Sequence, residues 1–92
     1  MKKTNISLIG FGYWGPNVAK NIFKNNDMVL YSICDHQESR LKMARAIYIE
    51  QTSYELDYKK ILSDPEIDAV AIVVETSGHF KLAKEALLSG KH

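Results

Sequence analysis

Three closely spaced glycines at the end of a short apolar run restrict the fold of this chain more than any other feature. The run Asn5–Gly10 is typical of a β-strand, and residues 10–15 then read G-F-G-Y-W-G. From Trp14 to Lys24 apolar side chains recur at helical spacing, with Pro16 in the first turn, where a missing N–H costs nothing. This order of strand, glycine-rich turn and helix predicts the start of a βαβ unit.

The rest of the chain alternates in the same way. Further strands are predicted at 28–34, around 49–52 and at 69–74, and further helices at 38–47, from Tyr58 to the turn at 63–65, and at 79–88. Alternation of this kind favours a parallel sheet covered by helices on both faces, with right-handed crossovers and strand order 3-2-1-4. We therefore predict a single α/β domain over residues 1–92, a three-layer Rossmann-like half-domain. The side chains predicted to face the core are Val18, Ala19, Ile22, Phe23, Leu41, Ala44, Ile47, Leu82, Ala83, Ala86 and Leu87, with Gly90 capping the last helix.

The glycine turn has the chemistry of a phosphate site. Gly10 permits a tight turn, Gly12 lets a pyrophosphate approach the backbone, and Gly15 lets the helix pack close to the strand. Free N–H groups and the positive end of the first helix would face the phosphates. The alternative is a βα turn that holds no ligand. The candidate contacts to the pyrophosphate of NAD or NADP are Gly10, Phe11, Gly12, Tyr13, Trp14 and Gly15.

Asp35 follows the second predicted strand, twenty residues after Gly15. A carboxylate at this place accepts hydrogen bonds from adenosine ribose hydroxyls and repels a 2′-phosphate, which favours NAD over NADP. The alternative role is to cap the second helix, and both roles are compatible. Arg40 is placed to reach an adenine face or a 2′-phosphate, or is a solvated helix charge. His36 either lines the same rim or is a surface bystander.

Two further segments are candidates for cofactor contacts. Trp14 either lies over the cofactor or seats the first helix against the sheet. The segment from Val74 through Glu75 to His79 follows the last strand, and loops at the carboxyl ends of parallel strands carry ligand contacts. A lone histidine at a helix start is more often structural, so His79 has both interpretations.

Composition and charge argue against several classes of partner and site. The net charge is +1 and the basic residues are dispersed, which argues against a nucleic-acid or anionic-membrane partner. No signal segment or membrane-spanning run is present, and the single Cys34 is typical of a buried thiol in a reducing compartment, so cytoplasm is expected. Neither a metal-ligand set nor a nucleophile–base pair is recognisable, so no metal site and no catalytic residue are predicted.

Several segments together resemble the N-terminal domain of the Gfo/Idh/MocA oxidoreductases, the glucose–fructose oxidoreductase and inositol dehydrogenase family. They are L-I-G-F-G-Y-W-G-P-N at 8–17, I-C-D at 33–35 with Arg40, L-S-D-P-E-I-D-A-V at 62–70, H-F-K-L-A-K at 79–84 and G-K-H at 90–92. The resemblance implies a nicotinamide-dependent oxidoreductase acting on a sugar, nucleotide sugar or cyclitol. It places the pyrophosphate on the glycine turn, Asp35, His36 and Arg40 at the adenosine ribose, and 74–79 beside the cofactor.

The sequence departs from the family pattern in two ways. Val74-Glu75 stands where family members commonly carry Thr-Pro, and a carboxylate beside a phosphate is unfavourable unless it points away or bonds a ribose hydroxyl. The family's fifth strand and its Glu-Lys-Pro segment with the catalytic lysine have no counterpart before His92, and Lys91 is a helix-end residue instead. We therefore expect a lobe that is not catalytically competent alone, with strand 69–74 as an exposed edge that promotes self-association.

Two other functions fit parts of the pattern. A stand-alone nucleotide-sensing or protein-interaction module would use the same fold without chemistry, since fold does not fix function. An S-adenosylmethionine methyltransferase also has a glycine-rich first turn, but such enzymes typically carry an acidic residue shortly before the first glycine. Here Ser7-Leu8-Ile9 precedes it, which disfavours that class.

Overall fold

Strands and helices alternate along the chain in the computed structural model, which describes residues 3–12, 14–48, 52–74 and 76–91, with the backbone alone for 76–80. The elements in chain order are β1 (Thr4–Ile9), α1 (Gly15–Lys24), β2 (Met28–Cys34), α2 (Glu38–Ile47), β3 (Ser53–Glu55), α3 (Tyr58–Ser63), β4 (Ala69–Ile72) and α4 (Thr76–Leu88). Every strand pairing in the described sheet is parallel, and the strand order is β3-β2-β1-β4. The predicted order 3-2-1-4 is therefore confirmed.

Adjacent residues of the central strands point to opposite faces, so each face of the sheet has its own apolar core. Leu8 belongs to the cluster under α1 and α2, whereas Ile9 belongs to the cluster under α3 and α4. Ile33 and Cys34 divide in the same way at the end of β2. A strand buried on both faces explains the continuous apolar runs of the sequence, and the two clusters confirm a three-layer arrangement.

Three elements differ from their predicted bounds by more than one residue. The third strand is Ser53–Glu55 and not 49–52; Thr52 precedes it, and 49–51 lie outside the described residues. Strand β4 ends at Ile72, two residues before the predicted end, and α4 begins at Thr76 instead of His79. Each difference falls where the sequence offers weak local signals, since the ends of short apolar runs and of helices are poorly defined.

The predicted inward faces of the helices need three corrections. Phe23, Ile47 and Leu87 are all well exposed. Each lies in the last turn of its helix. The phenyl ring of Phe23 contacts the ring of Tyr48, with 5.1 Å between ring centroids. In the described part of the chain, no helix has the length and apolar character needed to cross a membrane.

Candidate cofactor-binding site

The carboxyl ends of β1, β2 and β4 bring most of the predicted site residues to one edge of the sheet. Gly10 follows β1, Asp35 follows β2, and Val74 follows β4, while Arg40 reaches in from the first turn of α2. Because β1 lies between β2 and β4, the glycine turn stands at the centre of this edge. In open parallel sheets ligands bind outside the carboxyl ends, where the strand order reverses, and that place here is between β1 and β4.

The backbone leaves no room for a side chain at Gly10. Its φ is +106°, and a Cβ added there would lie 2.0 Å from the carbonyl oxygen of Val73 and 3.1 Å from a methyl carbon of Val74. Its N–H donates to the carbonyl of Cys34 at 2.7 Å. The first glycine is therefore fixed by β2 on one side and by the chain leaving β4 on the other.

Gly15 and Gly12 differ in what surrounds them. A Cβ on Gly15 would lie 2.6 Å from the carbonyl oxygen of Gly10, so the third glycine allows α1 to start directly against the turn. A Cβ on Gly12 would meet the guanidinium of Arg40, the movable end of a long side chain, at 3.4 Å. The fold requires glycine at 10 and 15, whereas at Gly12 the atoms nearest to an added Cβ belong to a flexible side chain.

Phe11 contributes to the turn in two ways. Its ring is buried in the core under α1 and α2, which anchors the turn to the sheet. Its N–H donates to Oδ2 of Asp35 at 2.8 Å and is therefore already used inside the chain. The donors available to a pyrophosphate consequently start beyond Phe11, among the first N–H groups of α1, which have no partner within an α-helix.

Asp35 is buried and connects several parts of the candidate site. Its side chain is only 1% exposed, and its Oδ1 accepts the N–H of Gln37 at 2.8 Å while Oδ2 accepts that of Phe11. The residue at the N-cap of α2 is Gln37, so Asp35 supports the start of the helix from two residues earlier. Its carboxylate thereby ties the glycine turn to α2. Support for the start of α2 was one of the two roles considered from the sequence, whereas the bond from Phe11 follows from three-dimensional geometry alone.

Two basic side chains flank Asp35. Nη1 of Arg40 is 3.5 Å from Oδ2, and Nδ1 of His36 is 3.6 Å from Oδ1. The His36 side chain is 81% exposed and makes an ion pair only when it is protonated. Both side chains therefore lie between the buried carboxylate and the solvent.

Cys34 lies directly before Asp35 and is buried, as expected from the sequence. Burial raises the pKa of its thiol to about 12, and the carboxylates of Glu55 and Asp35 add to this effect. The thiol is therefore neutral at physiological pH and acts as a small apolar side chain in the core.

Trp14 lies at the N-cap of α1 and is 63% exposed. With Pro16, Asn17 and Lys20 it lines a shallow surface depression of about 370 Å³. The sequence contained a signal for this grouping, because Pro16 and Lys20 are four residues apart and therefore share one helix face.

Three candidates cannot be placed. Tyr13 and Glu75 lie outside the described residues, and so does the side chain of His79. Val74 is half-buried beside the glycine turn and packs against the core under α3 and α4. The structure therefore brings together the following candidates: Gly10, Phe11, Gly12, Gly15, Asp35, His36, Arg40 and Val74.

The arrangement fits a dinucleotide. It provides an outer turn surface without a side chain at Gly12, the start of a helix aimed at the same place, and a carboxylate with two basic neighbours at the ribose position. A pyrophosphate would be held by the N–H groups at the start of α1, and the ribose would lie toward Asp35 and Arg40.

Comparison with known proteins gives the same result. The uncharacterized oxidoreductase YrbE of Bacillus subtilis (strain 168) is 36% identical over 92 residues, covering 99% of this chain and 26% of YrbE. Myo-inositol 2-dehydrogenase of Thermotoga maritima is 31% identical, covering 95% of this chain and 26% of that enzyme. The chain therefore spans about a quarter of the length of these relatives.

A solved structure is also similar. Scyllo-inositol dehydrogenase from Lactobacillus casei, crystallised with bound NAD(H) and scyllo-inositol, superposes with a TM-score of 0.88 at 27% identity. The match covers 99% of this chain and 27% of that protein. Residues 4–92 match the family GFO_IDH_MocA, described as an oxidoreductase family with an NAD-binding Rossmann fold. On this evidence, the chain belongs to the GFO_IDH_MocA oxidoreductase family and forms its NAD-binding Rossmann domain.

Proposed function

We propose that this chain holds a nicotinamide dinucleotide as the cofactor lobe of an oxidoreductase, with the pyrophosphate over the glycine turn. The observation that carries the proposal is the link between Asp35 and the turn. One buried carboxylate accepts N–H groups from both Phe11 and Gln37 at 2.8 Å, which fixes the turn relative to α2. A pre-organised turn binds anions more tightly because less conformational freedom is lost on binding.

NAD is proposed as the preferred cofactor, with NADP as the second. Asp35 places a carboxylate at the ribose position, where it can accept from the 2′- and 3′-hydroxyls of NAD. A 2′-phosphate in the same place would be a second negative charge beside the first. His36, Arg40, Val74, Glu75 and His79 are proposed to complete the contacts around the ribose and along the cofactor.

The proposed reaction class is hydride transfer between a nicotinamide and a sugar, nucleotide sugar or cyclitol. The names of two relatives, a myo-inositol 2-dehydrogenase and a scyllo-inositol dehydrogenase, support this class. When bound, the nicotinamide supplies the hydride acceptor or donor, and the residues described here bind and orient it. Because the chain spans about a quarter of these relatives, we propose that it binds cofactor without turnover by itself.

The test uses Trp14, which is the single tryptophan of the chain and belongs to the glycine turn. Titration with NADH should quench its emission and sensitise nicotinamide fluorescence, because the indole and the reduced ring would lie in one site. Unlabelled ADP-ribose, which lacks the nicotinamide, should reverse the signal by competition. The proposal would be disproved if Trp14 emission stayed unchanged up to high NADH concentration and ADP-ribose had no effect on the nicotinamide fluorescence.

We further propose self-association through the edge of β4. Ala69–Ile72 pairs with β1 on one side, and its four residues are all half-buried. An apolar edge strand with unpaired backbone groups is a template for pairing with another chain.

The cytoplasm is proposed as the location of this lobe. Cys34 is a buried thiol that its environment keeps neutral, which suits a compartment in which cysteines stay reduced.

A further inference from the structure

Strands β1 and β2 do not pair in one continuous register. Up to Ile6, which lies opposite Leu30, the pairing is regular. The next residue of β1, Ser7, lies opposite Ser32, so Tyr31 is an extra residue of β2. The extra residue forms a β-bulge, which is uncommon between parallel strands, and bulges next to binding sites redirect the side chains that follow them.

The bulge changes the face that each later residue of β2 occupies. Leu30 and Ile33 both pack in the core under α1 and α2, although residues three apart in a regular strand face opposite sides. Tyr31 and Cys34 both pack in the core under α3 and α4. Without the extra residue, the end of β2 would be displaced by about 3.3 Å and its side chains would change faces.

The glycine turn depends on this shifted register. The N–H of Gly10 donates to the carbonyl of Cys34 at 2.7 Å, and that of Phe11 donates to Oδ2 of Asp35 at 2.8 Å. Both donors directly follow β1, and both acceptors lie after the bulge of β2. A shift of β2 by one residue would take the acceptors away from these donors, so the bulge sets the position of Asp35 relative to the turn.

Two buried serines lie at the first paired position after the bulge. Ser7 is fully buried and Ser32 is 2% exposed, and their Oγ atoms are 2.6 Å apart. The Oγ of Ser7 is also 3.4 Å from the carbonyl oxygen of Ser32. Ser32 can therefore donate to Ser7 while Ser7 donates to that carbonyl. This pair connects the side chain and the backbone of β2 to β1 at the point where regular pairing resumes.

Net stability does not explain why two hydroxyls are buried inside the sheet. A buried hydroxyl costs free energy unless it is hydrogen-bonded, and an apolar pair of the same shape is about as stable as a bonded polar pair. A bonded pair that is fully satisfied, however, favours one arrangement of its strands over the alternatives. The contribution of Ser7 and Ser32 is therefore the choice of register.

We propose that Ser7 and Ser32 are positioning residues, whose hydroxyl pair fixes the bulge of β2 and thereby places the Asp35 carboxylate at the N–H of Phe11. This inference rests on the proposed function, because the turn that Asp35 orders is the one proposed to hold the pyrophosphate. Since both serines are buried within the sheet, they act on the cofactor through Asp35 and not by contact.

The test separates positioning from stability by comparing single and double variants. Ser7→Ala leaves the Ser32 hydroxyl without its partner and should lower the free energy of unfolding. The double variant Ser7→Ala/Ser32→Ala leaves no unpaired hydroxyl and should be closer to the wild type in stability. Its dissociation constant for NADH should nevertheless stay raised by at least about fivefold, because the bulge is no longer fixed.

Ile67→Val provides the matched control, since it removes one methyl group from the core under α3 and α4, outside β1 and β2. It should lower stability and change the dissociation constant of NADH by less than about twofold.

The amide proton of Phe11 gives a second measurement, which needs no ligand. In the wild type its bond to a carboxylate should shift its NMR resonance downfield and slow its hydrogen exchange. In the double variant the resonance should move upfield and exchange should become faster, whereas Ile67→Val should leave the resonance unchanged.

Two results would overturn the inference. One is an unchanged Phe11 amide in the double variant, and the other is a dissociation constant for NADH that simply follows the free energy of unfolding across all variants. A wild-type chain that binds no NADH would contradict the proposed function instead. The Phe11 amide would then decide by itself whether the serine pair places Asp35.

Discussion

Gly10 and Gly90 both have positive φ, +106° and +83°, but their surroundings differ. A Cβ on Gly10 would overlap the Val73 carbonyl at 2.0 Å, whereas around Gly90 nothing lies within 4 Å. Gly10→Ala should therefore lower the free energy of unfolding by more than about 3 kcal/mol. Gly90→Ala should cost only about 1 to 2 kcal/mol, from backbone strain alone.

Urea unfolding followed by circular dichroism measures both glycine variants. Gly90→Ala serves as the control for backbone strain without overlap. Equal losses in the two variants would mean that the chain leaving β4 does not press on the glycine turn.

Asp35 has a structural role and a proposed binding role, and Asp35→Asn separates them. One amide oxygen cannot replace two carboxylate oxygens that each accept a backbone N–H, so stability should fall by about 1 to 3 kcal/mol. The loss of the ribose acceptor should weaken the binding of NAD more than that of NADP. For NADP, removing the negative charge of Asp35 also removes its repulsion of the 2′-phosphate, which partly offsets the loss. Calorimetric titration of both cofactors checks this shift.

Glu38→Gln on the exposed surface of α2 is the control for Asp35→Asn and should leave the affinity for both cofactors unchanged. Equal weakening of NAD and NADP in Asp35→Asn would contradict a ribose role for this carboxylate.

The sequence predicted the type and order of the helices and strands better than it predicted the contacts of their side chains. Helices α1 and α2 were predicted within one residue of their observed bounds, because regular apolar spacing and Pro16 marked them. The prediction that the side chains of Phe23, Ile47 and Leu87 face the core was wrong. Periodicity reports the phase of a helix, whereas burial also depends on how far the neighbouring sheet extends beneath it.

Lys91 illustrates a contact that periodicity could not predict. Interpreted from sequence as a simple helix-end residue, it is buried, and its ammonium donates to the carbonyls of Asp64 at 2.5 Å and Ile67 at 2.7 Å. It thereby fastens the end of α4 to the turn between α3 and β4. No local pattern reveals this, since the partners are backbone atoms more than twenty residues away.

Replacing Lys91 tests this connection between elements. Lys91→Met keeps most of the apolar stem but leaves two carbonyls without their donor, so stability should fall by about 2 to 3 kcal/mol. Lys84→Met on the exposed face of α4 should change stability by less than about 0.5 kcal/mol. Thermal unfolding of both proteins gives the comparison, and equal stabilities would contradict the role assigned to the Lys91 ammonium.

For the whole molecule, the parallel order and the three layers were predictable because alternating elements allow few topologies. The position of the site at the sheet edge followed from the same rule. What could not be predicted is which atoms pack against the glycine turn. These are the Val73 carbonyl at Gly10 and the Arg40 guanidinium at Gly12. Both depend on residues distant in sequence that meet only after folding.

The unpaired edge of β4 makes a prediction at this scale. Sedimentation velocity should show a larger mean mass as protein concentration rises, because edges of two chains can pair. A wild-type chain that stays monomeric at high concentration would refute the prediction.

The most direct test of the central claim is calorimetric titration of NAD into the wild-type chain and into Gly12→Ala. Gly12→Ala should fold normally, since the atoms nearest to the added Cβ belong to the movable guanidinium of Arg40, 3.4 Å away. The account predicts a saturable binding heat for the wild type that is lost or weakened at least about tenfold in Gly12→Ala. Binding of equal strength in both proteins, or no binding of NAD by the folded wild type, would contradict it.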